Sequence, residues 1–435
     1  MSTGRTPVNR APSDGSIAAR RAPIPAVLRQ HVDDAADLHA IRTRLCTAPH
    51  VTLEHLRRFD DRLAAHLDAL AIAGPPARRL CETALEAAAP SAVFTATVQA
   101  LGSRDVEWLE RLLALAEVLQ PVRDGLVAAF GWAEPEQLRG TVATLLRSEN
   151  PLRRYLGVAA CGMHRVDPGL GTSRLLNDPD ARVRARAWRT AGELGRHELA
   201  PAAAAALSAE KDPGCRYWLA WAAVLLGNRG PALQAAAQIG TVPGEHQEEA
   251  FGLALQALPL DAAHELLRPL ARGAAQIRRV VIRGAGVVGD PTYLPWLLGH
   301  MTDDALARLA GESFSAITGI DLAALDLERK PPEDLQSGPS DDPEDARVHP
   351  DADDGLPWPD AAKVRSWWDA NAHRFQRGTR HFMGEPLNRE NCLRVLAQGC
   401  QRQRIAAAIS LALLSPGEPL FEWRAPARRQ QSALA

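Results

Sequence analysis

Arginines recur at fixed positions in the middle of this chain, and a guanidinium presents a planar fork of donors suited to carboxylate or phosphate. Arg153, Arg184 and Arg278 share one register, Arg189 and Arg283 a second, and Arg216 matches Arg182 one repeat earlier. Tyr217, Trp218 and Trp221 cluster in one predicted helix. An indole exposed beside a guanidinium would anchor a partner. The chemistry this suggests is binding. The sequence holds no H-E-x-x-H, no P-loop and no G-x-S-x-G, and no i, i+4 histidine pair sits beside a carboxylate in metal-binding register. No catalytic residue, cofactor site or metal ligand is assigned.

One segment imitates a nucleotide site. Gly284-Ala285-Gly286-Val287-Val288-Gly289 fits G-x-G-x-x-G, but the same register upstream reads Thr190-Ala191-Gly192-Glu193-Leu194-Gly195, a helix end. Asp290-Pro291 follows at once and leaves no uninterrupted helix N-terminus for a pyrophosphate. Six cysteines are scattered without a C-x-x-C pair, which reads as reduced and structural.

The elements that hold the arginines are repeated. RVRARAWRTAGELGRHELAP (Arg182–Pro201) returns as QIRRVVIRGAGVVGDPTYLP (Gln276–Pro295), which puts Arg184 over Arg278 at an offset of 94 and Gly195 over Gly289. That offset is close to three periods of about 31, the length of a helical hairpin. Asp-Pro, at Asp178-Pro179 and again at Asp212-Pro213, is read as opening a helix, since Asp caps free N–H groups and Pro fits the first turn. Val183, Ala187, Ala191 and Leu194 follow on one face, which makes Ala187 and the aligned Trp221 interior, with Trp218 at the core edge. One hairpin cannot bury such a stripe alone, so the expected fold is all-α, an α-solenoid.

Around the repeats the composition shifts. Residues 1–23 read as a disordered tail, 24–149 as a helical N-terminal region of degenerate repeats or cap, and 150–325 as the repeats. Residues 326–356 are acidic and Pro-rich and read as a linker, and 357–435 form a helical, aromatic-rich segment expected to cap the solenoid or to dock a partner through its aromatic rings. A net charge of −2 argues against a protein whose main task is gripping nucleic acid. No apolar window approaches the ~18 residues of a membrane span, and no signal peptide is readable, so the expected location is the cytoplasm.

The pattern D-P-x-x-x-V-R-x-x-A-x-x-A-x-x-x-L-G resembles the HEAT-like repeats of phycobilisome lyases over roughly residues 150–325. AVLRQHVDDAADLHAIR, FDDRLAAHLDALAIAG, ESFSAITGIDL and PGEPLFEWRAPARRQ are similar to an uncharacterised proteobacterial family of HEAT-repeat proteins often associated with type VI secretion loci. The resemblance implies an armadillo-type superhelix of HEAT-like hairpins and a non-enzymatic scaffold or adaptor for a protein partner: an effector adaptor, chaperone or immunity-like protein. It also implies a structural ladder in which Arg153, Arg184 and Arg278 bridge to acids such as Asp178 and Asp212. Arg189, Arg283, Trp218 and Arg216 are then the candidate partner contacts. The alternative is a HEAT-repeat enzyme, lyase-like or alkylpurine-DNA-glycosylase-like, with Arg184, Trp218, Trp221, Arg278 and Asp212 as its parts.

Overall fold

The computed structural model describes residues 23–271, 275–333 and 351–435. The expected tail, save Pro23, and residues 334–350 of the expected linker lie outside them. The described residues form 22 α-helices, and their strands are the two-residue pair His381–Phe382 and Glu385–Pro386. None of these helices is long and apolar enough to cross a membrane.

In the N-terminal region, Pro25–Leu45 and Leu53–Ala73 pair as a hairpin. Leu56, Leu63, Leu67 and Leu70, spaced to share one face, are buried there with Val32 and Ala35. Further on, the long helices Pro151–His164, Ala181–Glu193 and Pro213–Leu225 pack on one another in sequence, and Gln247–Ala257, Ala275–Val288 and Asp304–Thr318 continue the series. Four of these six starts have a local cause: Asn150, Asp180, Asp212 and Asp303 accept N–H groups of the first turn. Gly286 lets Ala275–Val288 approach its neighbour, because a Cβ there would lie 2.9 Å from the Ser313 Cα. The fingerprint glycines therefore serve helix packing.

Several of the long helices end on a left-handed glycine, among them Gly195 (φ 66°), Gly289 (φ 75°) and Gly319 (φ 72°). The C-terminal segment runs past these ends and supplies donors to their carbonyls. Leu420 N–H donates to Glu193 O at 2.9 Å, His381 N–H to Gly289 O at 2.8 Å, and Met383 N–H to Ala316 O at 2.7 Å. The segment is thus more than an end cap. Gln401–Leu414 packs against Pro213–Leu225 and Gln247–Ala257, and residues 424–430 reach the N-terminal helices. Trp358, Trp368 and Phe375 are buried, so these aromatics are core and not a docking surface.

The expected linker is also docked where it is described. Leu327, Asp353 and Leu356 are buried, and Glu328 bridges Pro359. Asp353 pairs with Arg279 at 2.5 Å, Asp351 pairs with Arg308, and Trp358 lies between the guanidinium groups of Arg308 and Arg329. An acidic run that reads as solvated is held by arginines of its own chain.

Candidate functional site

Of the residues expected in an arginine ladder, Asp178 and Arg184 are bridged, each by a partner other than those expected. Arg154, next to the expected Arg153, makes the buried bidentate bridge to Asp178 at 2.7 and 2.8 Å. Arg153 faces outward to Glu117 and Glu110, both at 2.7 Å. Arg184 grips Glu210 at 2.9 Å through two nitrogens, and its hydrogen bonds hold the Glu210 carboxyl down at about 2. Asp212 caps its own helix by accepting from Cys215 N–H at 2.7 Å. Arg278 is exposed; the inward position falls to Arg279. Helix rotation by one residue, about 100°, decides which guanidinium of an Arg-Arg pair turns inward, and the sequence register alone does not fix it.

Of the expected partner contacts, Arg189 and Trp218 are spent inside the molecule. Arg189 donates to Glu193 at 2.8 Å and lies 4.3 Å over the Trp218 ring, which packs on Trp221. Glu193 also accepts from Arg186 at 2.8 Å, and Arg165 stands 3.9 Å away. Burial opposes ionisation of Glu193, but Arg186, Arg189 and Arg165 together hold its carboxyl well below the usual range. Gly162 leaves the room: a Cβ there would collide with the Glu193 and Arg186 side chains. Arg165 also pairs with Glu422 of the C-terminal segment at 3.1 Å and donates to Leu420 O at 2.6 Å. Arg216 donates to Leu207 O at 3.1 Å, and Arg283 reaches Glu248 on the surface. Of the residues named for a glycosylase-like cleft, Arg184 and Asp212 are committed to Glu210 and a helix cap, Trp221 is buried, and Arg278 is exposed.

A concave site lies elsewhere, between Arg389–Gln398, Gln401–Leu414 and the terminal helix Ala427–Leu434. It has a volume of about 430 Å³ and an apolar floor that includes Met163, Leu393, Leu396, Leu411, Leu420 and Phe421. Leu393 is 43% exposed at its mouth, and Leu414, one turn beyond Leu411, is 47% exposed. Two ion pairs edge it, Arg165 with Glu422 and Arg389 with Glu418 at 2.8 Å. Arg429 is fixed at its far side by donating to Gly131 O and Ala133 O, both at 3.1 Å. Sequence reasoning missed this groove because its walls come from residues 163 to 434, and helical spacing does not report contacts across such separations.

One arrangement has the outline of a proton relay. His264 bonds Asp290 at 3.1 Å through Nε2 and the Tyr293 hydroxyl at 2.5 Å through Nδ1. Burial and Asp290 push the Tyr293 hydroxyl up to about 12, so it stays protonated at neutral pH. Asp290 also accepts from Thr292 and Gly378 N–H groups, which makes the trio a buried tie between helix ends. Compared with known proteins, the chain matches no family model and no curated protein.

Proposed function

We propose that this chain is a non-enzymatic protein-binding scaffold, an α-solenoid of HEAT-like hairpins whose partner seat is the groove between Arg389–Gln398, Gln401–Leu414 and Ala427–Leu434. The observation that carries this is the groove's make-up: an apolar floor with Leu393 exposed at the mouth and paired charges at the rim. Apolar anchors inside a polar rim are the anatomy of a protein interface, and a groove of this kind takes the apolar face of a helix. The repeated arginines support the frame, because most of their charge is already met by acids of the same chain. Resemblance to the type VI secretion-associated HEAT-repeat family makes the partner a cytoplasmic component of that system, with this chain as effector adaptor, chaperone or immunity-like protein.

A photo-crosslinking residue at Leu393, with another at the distant exposed Ile72 as control, tests the seat in the native bacterium. The expected result is a discrete protein adduct from position 393 that position 72 does not give and that Leu411→Asp, in the groove lining, abolishes. Equal adducts from both positions, or none from 393, would remove the groove as the seat.

A further inference from the structure

The start of Gln401–Leu414 meets the turn before Leu53–Ala73. Gln401 N–H donates to Val51 O at 2.8 Å, Arg402 donates to Thr47 O at 3.2 Å, and Thr52 bridges Cys400. At this seam lies Arg404, 0% exposed and the largest fully buried side chain among the described residues. Its Nε donates to Leu396 O at 2.7 Å and its Nη1 to Gln401 Oε1 at 3.0 Å. Nη2 has no acceptor, and neither has Nε2 of Gln401, itself 0% exposed. The Nη1 to Oε1 bond joins these two side chains, each of which keeps a buried donor in want of an acceptor.

The charge is as unmet as the hydrogen bonds are incomplete. Among the described residues no carboxylate bonds Arg404; Asp60 is taken by Arg42 and by Ala427 N–H, and Glu312 by Arg402. Cys46 is near enough to act on Arg404, but burial pushes its thiol up and keeps it neutral. Burial brings Arg404 down to about 10, which still leaves it cationic at neutral pH. The Phe421 ring, 5.5 Å away, offers its face and no formal charge. A buried cation without a counter-charge is strongly unfavourable. The dipole at the N-terminus of the 14-residue helix adds positive potential at the same place.

We propose that Gln401 and Arg404 hold one halide-sized anion, chloride in ordinary salt, at the seam between the first helical hairpin and the C-terminal helices. Water would satisfy the donors and leave the charge unmet. An oxyanion would bring more acceptor oxygens than there are free donors.

The test is thermal unfolding of the full chain in sodium chloride, bromide or methanesulfonate at constant ionic strength. Chloride and bromide should raise the Tm along a saturating curve, and methanesulfonate should not. Arg404→Met should abolish the halide dependence and, in methanesulfonate, melt no lower than the parent, since an apolar side chain of similar length removes the buried charge. Should that variant fail to fold, Gln401→Met keeps the guanidinium and should weaken the apparent halide affinity at least tenfold. Crystals soaked in bromide should give an anomalous peak within bonding reach of Arg404 Nη2 and Gln401 Nε2. Identical Tm values in the three salts, or a bromide-free map at this position, would overturn the proposal.

Discussion

The helices Ala181–Glu193 and Ala275–Val288 are copies in sequence, and comparing them separates what a repeat encodes from what its surroundings decide. Both end on a left-handed glycine, Gly195 and Gly289, whose missing Cβ admits the backbone of the C-terminal segment. Both carry an internal glycine against the next long helix: a Cβ at Gly192 would lie 3.0 Å from Ala222 Cα, and one at Gly286 2.9 Å from Ser313 Cα. Their arginines diverge. Arg184 grips Glu210, while Arg278 is exposed; Arg189 serves the buried Glu193, while Arg283 pairs with Glu248 at the surface. The position of Glu193 is Val287 in the second copy. Backbone approach is repeated, and charge is local.

The largest expected difference is at that position. Glu193→Ala strips the acid from between Arg165, Arg186 and Arg189, two of them within 2.8 Å, and leaving buried charges unpaired should cost about 3–5 kcal/mol. Val287→Ala, at the matched site, removes part of a half-buried side chain and should cost about 1 kcal/mol. Chemical denaturation of both variants measures the gap. Equal losses would mean that the arginine cluster is no more than packing.

The arginine pair comes next. Arg184→Ala leaves Glu210 without its bidentate donor and should cost about 1–3 kcal/mol, whereas Arg278→Ala, on the surface, should stay within about 0.5 kcal/mol. Acid titration sharpens this. Arg184 holds Glu210 at about 2, below its unfolded value near 4.5. Its contribution is therefore complete above pH ~4.5 and lost as the pH falls towards 2. Arg184→Ala should make stability fall less steeply across that window, and Arg278→Ala should leave the profile unchanged; matching profiles in the two variants would erase the distinction.

What the sequence made legible follows the same division. The helix start at Asp212 and the helix ends at Gly195 and Gly289 were readable, because capping and left-handed glycine act within a few residues; at Asp178-Pro179 the cap falls two residues later, on Asp180, because Asp178 is taken by Arg154. Burial of Val183, Ala187 and Trp221 follows from helical spacing. The partners of the arginines were not readable. Choosing Arg154 over Arg153, or Arg279 over Arg278, depends on helix rotation, and Asp353 reaches Arg279 across 74 residues. Nor could spacing reveal that the half-buried Trp218 and Arg189 stack on each other, with Arg189 tied to the buried Glu193, or that residues from 163 to 434 line one groove.

The smallest effect tests the row once expected to touch a partner. Arg283 is 36% exposed and its acid, Glu248, 59% exposed, so a solvated pair of this kind should contribute about 0–1 kcal/mol, less at high salt. Arg189 is tied to Glu193 and to the Trp218 ring, so Arg189→Ala should cost more, about 1–3 kcal/mol, from the lost charge-assisted bond and the uncovered indole. Melting curves in low and high salt distinguish the two. Arg283→Ala should show a small loss that salt removes, and Arg189→Ala a larger loss that salt leaves largely intact, because Glu193 is buried and screening ions do not enter. If the two losses were equal and equally salt-sensitive, the buried Glu193 would hold Arg189 no more firmly than the exposed Glu248 holds its copy.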